Sequence, residues 1–550
     1  MLNAVRADAR FSAVPANTDI SRSTFDRNST HKTTCNVGKL VPFYLDEVLP
    51  GDTFDLDTSY LARMSTPIYP VMDDAYMDVF YFFVPTRLVY DDSRHLFGEP
   101  REAWFSAVET LVPTTRLTPK LGGVADHFGL PVGKQLTVNA MPFRAYQLIY
   151  NEFFRDQNLT DPVVINKSYT TDDDLVTDDL FNVSKLHDYF TSALPAPQRG
   201  PDVLLPLGLD DLAVTTGTGS VTSQIPLKFR ALGGGTDDTP AFDLTGNPVY
   251  AFGTEEYVDS ERYAVGYAGI DPAGPNTGST WNPGIYPTNL TVSGDGLEVT
   301  INQLRQAIQI QRMYERDARG GARYRELVKS HFGTTIPDLT AMVPELLCQS
   351  SERIVVNQVV QQSATDEVSP QGNVAAFSKT VSSGKSFVKS FTEHGYLIGL
   401  FCIRTNHTYQ QGIDRLWTRS DRFDFYWPTL AHLGEQPIKN KEIYYQGNST
   451  DDEVFGYQEA WADYRYKRSI VTGAFRSGIS GSLDVWHYGD YYDSLPYLST
   501  AWMDETDANV NRTLAVTSDL SDQFLVDFYI SNRTTRPMPL YSVPGLMDHL

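Results

Sequence analysis

Short stretches rich in valine, isoleucine, phenylalanine and tyrosine recur along the chain and are separated by turn residues. Their length and composition predict β-strands, and those that are apolar at nearly every position predict strands buried on both faces. Five such stretches are Tyr76–Val84, Glu352–Val360, Tyr396–Arg404, Arg422–Trp427 and Gln523–Ile530.

Two segments place their apolar residues at helical spacing instead. In Phe143–Phe154 they follow the i, i+3, i+4, i+7 pattern of one helix face, and the segment that starts at Ile301 follows it more roughly up to Gly320. The predicted strands are joined by long, irregular connections without a regular strand–helix alternation. This organisation favours an antiparallel β-sandwich over a doubly wound parallel sheet.

Residues 201–300 differ from the rest of the chain. They hold 15 of the 39 glycines, and their 13 acidic residues against three basic ones give a net charge of −10. Glycine and proline in runs such as those around Gly233 and Pro272 favour tight turns. We expect a long, exposed, loop-rich insertion of the kind that carries recognition.

The first 40 residues have the opposite charge. Six basic residues against three acidic ones give +3, in a chain whose total charge is −23. Few of these residues are apolar, which predicts a basic N-terminal arm and not part of the core, with a plain solvated terminus as the alternative. The acidic total argues against a surface that wraps nucleic acid on its own, so any such contact must be local.

The longest apolar runs, Val79–Val84 and Tyr396–Ile403, are far shorter than the roughly 20 residues of a membrane helix. The three cysteines have neither metal nor redox spacing, and the first residues lack the apolar stretch of a secretory signal. We therefore expect folding in a reducing cytoplasm.

The sequence contains no complete motif for catalysis or cofactor binding. A P-loop ending at Gly384-Lys385-Ser386 would need glycine where Lys379 stands, so Lys379–Lys389 is predicted to be a polar loop before a strand. The histidines have no metal-ligand spacing, and no G-x-S-x-G elbow is present. The acidic clusters Asp172–Asp174 and Asp178–Asp179 lack the glycine and closing glutamate of a calcium loop and are expected to be solvated turns.

A basic segment, Arg305–Lys329, carries seven basic residues against three acidic ones, a net of +4. Glu315 and Arg319 have the i, i+4 spacing of a helix ion pair. The spacing favours a paired face at a subunit contact over a nucleic-acid site.

Several short phrases, in order along the chain, carry a resemblance to a known family. They are His31–Thr34, Val41–Phe54, Val84–Leu88, Phe154–Asn158, Ser192–Val203, Glu315–Tyr324, Thr408–Trp417, Asp424–Gln436, Asn440–Gly447, Val454–Lys467 and Val543–Leu550. Together they resemble the major capsid proteins of gokushoviruses, in the Microviridae. The resemblance weakens only across 204–300, within the predicted insertion.

The resemblance implies a mainly β fold: a viral jelly-roll, an eight-stranded antiparallel β-sandwich with long loop and helical insertions. Residues 41–200 would form its first part and 301–550 its remainder, including inter-subunit contacts. It also implies a structural subunit without enzymatic role or cofactor, located in the virion and assembled in the host bacterial cytoplasm.

The partners implied are other copies of the chain, sixty in a T=1 icosahedral shell, and a circular single-stranded DNA genome. A small basic DNA-binding virion protein, a pilot or minor virion protein and a bacterial surface receptor complete the set. Because the shell and the DNA are both acidic, basic groups must face the lumen. We hypothesise that these are Arg6, Arg10, Arg22, Arg27 and Lys32.

The insertion at 201–300 is the candidate for a three-fold surface protrusion that contacts the receptor. Its candidate residues are Gly233, Gly234, Gly235, Asp237, Asp238, Asp271, Gly274 and Asn276. Two alternatives remain open at this point: a glycan-active or glycan-binding jelly-roll protein, with two carboxylates in an aromatic-lined groove, and a plain receptor-binding module.

Overall fold

The computed structural model describes residues 20–99, 111–203, 300–360 and 374–542, together with the backbone of four short strands between 214 and 292. The strands are β1 (Ser23–Asp26), β2 (Ser29–Cys35), β3 (Val41–Val48), β4 (Thr53–Met64), β5 (Ala75–Pro85), β6 (Thr114–Leu117), β7 (Leu136–Asn139), β8 (Val214–Thr216), β9 (Phe229–Ala231), β10 (Ile285–Pro287), β11 (Leu290–Val292), β12 (Glu345–Arg353), β13 (Val356–Val360), β14 (Val374–Ser378), β15 (Thr380–Ser390), β16 (Gly395–Thr405), β17 (Glu435–Lys439), β18 (Val454–Glu459) and β19 (Phe524–Arg536).

The helices are mostly short. They are α1 (Thr86–Val89), α2 (Ser93–Leu96), α3 (Val124–His127), α4 (Met141–Ile149, continued by a π turn at Tyr150–Phe154), α5 (Ile301–Gly320), α6 (Tyr324–Phe332), α7 (Asn440–Ile443), α8 (Ala462–Arg465), α9 (Thr500–Met503) and α10 (Ala508–Asn511).

Two antiparallel sheets form the centre of the fold. Sheet A has the order β1-β19-β4-β15, with β2 also paired to β19, and sheet B has the order β12-β5-β16-β3. In β4 and β19 buried and exposed residues alternate, so that one face of sheet A points into the core. The predicted mainly β, antiparallel architecture is confirmed.

The core between the sheets is built from aromatic side chains of both. The Phe43 ring of sheet B stacks on the Phe528 ring of sheet A, with 4.1 Å between centroids, and Phe401 meets the same ring at 5.2 Å. Burying each such side chain contributes about 1.5–3 kcal/mol. These contacts define a β-sandwich.

A second core covers the outer face of sheet B. Helices α1, α3 and α4, with the extended segments around Val163 and Phe181, pack on this face. Strands β5 and β16 are therefore buried on both sides, as their apolar sequences predict. A third cluster, around Phe190 and Phe455, lies among the connections that include β17 and β18.

The chain divides into two units, one of Met1–Gly200 with Tyr314–Leu550 and one of Pro201–Met313. The first contains both sheets and all three clusters. In the second, β8 pairs with β11 and β9 with β10, both antiparallel. The predicted insertion at 201–300 falls within this second unit.

Three of the five predicted strands, at 76–84, 396–404 and 523–530, are confirmed as β5, β16 and the first half of β19. The prediction for 352–360 is wrong in part, because the chain leaves sheet B after Arg353 and buries Ile354 before β13 begins. The helices predicted at 143–154 and from Ile301 are confirmed as α4 with its π turn and as α5.

Two local predictions are wrong. The segment 422–427 is not a strand: it starts with a short 3₁₀ turn capped by Asp421, and its aromatic residues face solvent. Conversely, 379–389 is not a polar loop, because residues from Thr380 onward form β15 along β4. A segment forms a strand only where another strand lies beside it, and local composition does not show whether one does. Thr380–Ser390 has such a partner in β4, and 422–427 has none among the described residues.

The interpretation of residues 1–40 as an arm outside the core also needs correction. From Ser23 onward the chain forms β1 and β2, which pair with opposite ends of β19. Polar side chains suit these strands because most of them lie on the exposed face at the edge of sheet A. The part of the predicted arm that the structure describes is therefore part of the sandwich.

Candidate nucleic-acid and assembly surfaces

Three of the five predicted nucleic-acid contacts lie at the edge of sheet A. Arg22 is exposed and donates to Thr53 Oγ1 at 2.6 Å, and Lys32 is 73% exposed with its Nζ 3.4 Å from an Asp527 carboxylate oxygen. Arg27 instead forms two hydrogen bonds, of 2.5 and 3.0 Å, to the carboxylate of Asp46. Arg22 and Lys32 are therefore more accessible to a phosphate than Arg27. Arg6 and Arg10 lie outside the described residues.

Lys32 borders a groove of about 640 Å³ on the exposed face of sheet A. Strands β2, β4 and β19 form its floor, and residues 121–127 form one wall. Its polar lining contains His31, Lys32, Thr33, Thr34, Arg63, Asp126, His127, Asp522 and Asp527.

The imidazoles of this groove contribute no strong positive charge at neutral pH. Burial lowers the pKa of His31, and the charge of Asp126 opposes only part of this effect. Burial likewise lowers the pKa of His127, whose Nδ1 lies 3.0 Å from Thr33 Oγ1. Lys32 and Arg63 are then the groove's cations, and three aspartates accompany them. The groove can make polar contacts, but its charge is not strongly basic.

The eight candidate receptor residues, Gly233, Gly234, Gly235, Asp237, Asp238, Asp271, Gly274 and Asn276, all lie outside the described residues.

An exposed aromatic surface is the feature that the sequence interpretation missed. We define it by Phe425, Tyr426, Trp427 and Tyr464, which are 42–52% exposed. Tyr426 lies 6.3 Å from Tyr464 between ring centroids, and the guanidinium of Arg419 lies 4.3 Å from the Tyr464 ring. Exposed aromatic residues accompanied by arginine are typical of protein–protein interfaces. The aromatic run at 422–427 is the available signal in the sequence, but its composition predicts a strand.

The basic segment 305–329 is engaged inside the first unit over its C-terminal part. Arg319 binds Glu435 and donates to Gln458 at 2.8 Å. Arg323 forms ion pairs with two glutamates, and Arg325 pairs with Asp338 at 2.9 Å. These pairs favour a structural role over nucleic-acid binding.

The acidic clusters are not simply solvated turns, as predicted. Asp173 is buried and forms an ion pair of 2.6 Å with the buried guanidinium of Arg144. Asp178 accepts hydrogen bonds from the backbone of Lys120 and Ala125. These carboxylates hold residues 173–178 to α4, which carries Arg144, and to residues 120–125, which lead into α3.

A second buried charge cluster lies beyond the end of β16. The ring nitrogens of His407 lie 2.9 Å from Asp490 and 2.9 Å from Glu505. Burial alone would lower the pKa of His407, but the two carboxylates outweigh it and raise this pKa to about 10. The imidazole is therefore a cation at neutral pH.

Within the described ranges, no group of three or more histidine, cysteine or acidic side chains is placed to hold a metal ion. Over the same part of the chain, no helix is long and apolar enough to cross a membrane.

A two-sheet antiparallel sandwich with long connections and an exposed aromatic surface fits the class of viral coat proteins. Comparison with known proteins identifies the family. A family model described as "Capsid protein (F protein)" of phages matches residues 12–546. The chain therefore belongs to the phage F-type capsid protein family and is a structural component of the virion.

Three relatives are similar over nearly their whole lengths. Capsid protein VP1 of Chlamydia phage 1 is 39% identical, with 98% of this chain and 97% of the relative covered. Capsid protein VP1 of Bdellovibrio phage phiMH2K is 38% identical, with 97% of each covered. The VP1 protein of Spiroplasma virus 4 is 40% identical, with 94% of each covered. The resemblance to gokushovirus major capsid proteins is confirmed.

Proposed function

We propose that this capsid protein assembles into a T=1 shell of sixty copies around a circular single-stranded DNA genome, and that the subunit has no catalytic role. The observation that carries the proposal is the similarity to phage capsid proteins along almost the whole chain, residues 12–546. The aromatic surface supports it, because a closed shell needs several extensive interfaces on every copy.

The test is the particle mass and appearance of the expressed protein, by light scattering and negative-stain electron microscopy. It is measured with and without single-stranded DNA and a small basic protein. Uniform closed shells with the mass of sixty subunits are expected. Another uniform size would reject the T=1 part of the proposal, and only monomers or trimers under every condition would contradict self-assembly.

We also propose that the sandwich is a jelly-roll. Eight strands taken in chain order, β2, β3, β4, β5, β12, β15, β16 and β19, support this assignment. They fall into the neighbour orders β2-β19-β4-β15 and β3-β16-β5-β12, and all their pairings are antiparallel. Such interleaving of two sheets is what two nested Greek keys produce. An experimental map of the assembled particle would test it, and a different strand order would contradict it.

The lumen-facing role of the N-terminal basic residues remains a proposal. Arg6, Arg10, Arg22 and Lys32 are the stronger members of the set, because Arg27 is engaged with Asp46. With a charge of −23 per copy, we expect a small basic virion protein to supply most of the neutralisation, and a pilot protein to complete the particle.

A variant with Arg6, Arg10, Arg22 and Lys32 replaced by glutamine should package less DNA, while the subunit keeps its fold. Glutamine at Lys134 and Lys467 is the matched control, since both lie outside the N-terminal region. The DNA content of purified particles is the readout, and an unchanged content would contradict the proposed role.

Host attachment is assigned to the insertion 201–300. Its composition supports this assignment, because 15 glycines and a net charge of −10 are typical of an exposed recognition loop. Exchange of residues 232–295 with those of a related phage should change the host range and still allow assembly. Loss of assembly alone would favour a role in holding subunits together.

A further inference from the structure

Three distant parts of the chain meet beside the second core. Residues 38–40 pair with 181–183 through hydrogen bonds from Leu40 N to Phe181 O and from Val183 N to Gly38 O. Residues 183–185 pair in turn with 503–505. Antiparallel bridges place Lys39 opposite Asn182, and Ser184 opposite Asp504.

Side chains two residues apart on a strand point to the same face, so Asn182 shares a face with both bridged partners. The Nζ atom of Lys39 donates to Oδ1 of Asn182 at 2.7 Å. The Nδ2 atom of Asn182 donates to Oδ2 of Asp504 at 3.2 Å. An amine, a carboxamide and a carboxylate are thus joined in one hydrogen-bonded row.

The surroundings limit the access of water to this row. All three residues are partly buried, and Val183 and Met503 beside them are fully buried. Burial raises the pKa of Asp504, and the hydrogen bond from Asn182 and the charges of Lys39 and Lys185 oppose only part of the rise. Burial and then the charge of Asp504 raise the pKa of Tyr150, which indicates that this phenol lies close to the carboxyl group.

We propose that Lys39 and Asn182 form an intramolecular isopeptide bond with Asp504 as the general acid and base. The row contains the three groups that the reaction needs: a nucleophilic amine, an acyl group with a leaving nitrogen, and a carboxyl group hydrogen-bonded to that leaving nitrogen.

The reaction balances without an added reagent. Solvent first takes a proton from the Lys39 ammonium, which leaves a neutral amine. The Nζ lone pair then forms a bond to Cγ of Asn182, and the electron pair of the C=O bond moves onto Oδ1, so that Nζ and Nδ2, the nitrogen already hydrogen-bonded to Asp504, lie on the same carbon. Asp504 next passes a proton from Nζ to Nδ2, the Cγ–Nδ2 bond breaks, and the C=O bond re-forms. The products are the Lys39–Asn182 amide and one ammonium ion, and no oxidation takes place.

The bond would connect the start of sheet B to the extended segment around Phe181 that packs on its outer face. Lys39 lies just before β3, and Asn182 lies 143 positions further along the chain. A covalent link over so long a loop restricts the unfolded chain, as a disulfide does, and it needs no oxidising compartment. A shell subunit that folds in a reducing cytoplasm would gain stability in this way.

The intact mass of the purified full chain in denaturant decides the matter without any variant. After incubation at neutral pH, the mass should be lower than the sequence mass by one ammonia molecule. Trypsin should release a branched peptide that joins Thr33–Arg63 to Ser168–Lys185, because an acylated Lys39 is no longer cleaved. An unchanged mass and separate peptides after prolonged incubation would overturn the proposal.

Variants then test the roles. Lys39→Arg keeps a cation but removes the nucleophile, and it should abolish the branched peptide. Asp504→Asn should slow its formation at least about 100-fold, the usual contribution of a general acid–base group. Asp493→Asn and Lys120→Arg, on exposed residues elsewhere in the fold, are matched controls that should keep the wild-type yield. Wild-type yield in Asp504→Asn would remove Asp504 from the mechanism.

Discussion

At the scale of single residues, His407 is a buried cation between two carboxylates. Its imidazole bonds Asp490 and Glu505, and Asn509 donates to the other oxygen of Asp490 at 2.7 Å. Burial would raise the pKa of Asp490, but His407 outweighs this and lowers it to about 2. The cluster therefore stays charged over a broad range of pH and ties the end of β16 to residues 490 and 505.

We expect His407→Ala to lower the free energy of unfolding by about 3–5 kcal/mol near pH 6, because two buried carboxylates lose their partner. The stabilisation by His407 is complete below the ordinary histidine pKa of about 6.5 and is lost as the pH rises through about 10. The contribution of Asp490 is complete above about pH 4 and is lost as the pH falls through about 2.

Urea unfolding of the wild type and the variant at pH 6 and pH 10 measures this prediction. The difference in stability should shrink at pH 10. His432→Ala, at an exposed position, should show little effect at either pH. A difference that is the same at both pH values would contradict the charged state assigned to His407.

The Arg144–Asp173 pair gives a second test at this scale. Both side chains are almost fully inaccessible, and Arg144 also donates to the backbone oxygens of Val89 and Ser168. Arg144→Met should therefore cost about 3–5 kcal/mol, since Asp173 would be left buried without its cation. Lys120→Met, which breaks the exposed Lys120–Asp179 pair, should cost less than about 1 kcal/mol. Equal effects in thermal unfolding would show that the buried pair is not structural.

At the scale of elements, sheet A depends on strands whose sequence looks polar. Strands β1 and β2 cover one edge of β19, and Cys35, at the end of β2, belongs to the central core. An uncovered β19 would present unpaired backbone groups along a long strand, which favours aggregation.

Two deletions test separately the role of the basic N-terminus and the role of strands β1 and β2. Removal of residues 1–19 should leave sheet A folded, because β1 begins at Ser23. Removal of residues 1–35 should cause aggregation or loss of the cooperative unfolding transition. Size-exclusion chromatography and circular dichroism are the measurements. A soluble, cooperatively folded product of the longer deletion would show that β1 and β2 are dispensable.

The failures of prediction at this scale have one cause. Phe423 and Trp427 have the composition of a buried strand, yet they are 69% and 42% exposed in a loop. Thr380–Ser390 has the composition of a loop, yet it pairs with β4 along its length. Strand formation depends on a partner strand elsewhere in the chain, and periodicity within a segment carries no information about that partner.

At the scale of the whole molecule, the aromatic surface is the described feature best suited to contact between copies. Its rings are held in place, since Arg419 lies over Tyr464 and pairs with Asp463, and Arg422 lies 4.9 Å from the Trp427 ring. Such pre-ordered aromatic side chains lose little conformational entropy on association.

We expect the double variant Trp427→Ser and Tyr464→Ser to reduce the yield of assembled particles at least about tenfold, as the loss of central interface residues does. The thermal unfolding of the isolated subunit should change little, because both side chains are half exposed. Tyr497→Ser, at an exposed position outside this surface, is the control. Normal particle yield in the double variant would exclude this surface from the shell contacts.

The fold class, the strands β5 and β16, the first half of β19, the helices α4 and α5 and the capsid family could all be predicted from the sequence. These features depend on local apolar periodicity or on short sequence motifs in a fixed order. Both are visible in the sequence without knowledge of which segments are in contact in the fold. The strands β1, β2 and β15, the burial of Asp173 and the exposure of the aromatic run at 422–427 depend instead on contacts between distant parts of the folded chain.

The row formed by Lys39, Asn182 and Asp504 could not be predicted from the sequence either. Asn182 lies 143 positions after Lys39, and Asp504 lies 322 positions after Asn182. None of these residues stands in a motif. Their chemistry depends on strand pairing that brings three distant backbones side by side, and such pairing is a property of the folded chain as a whole.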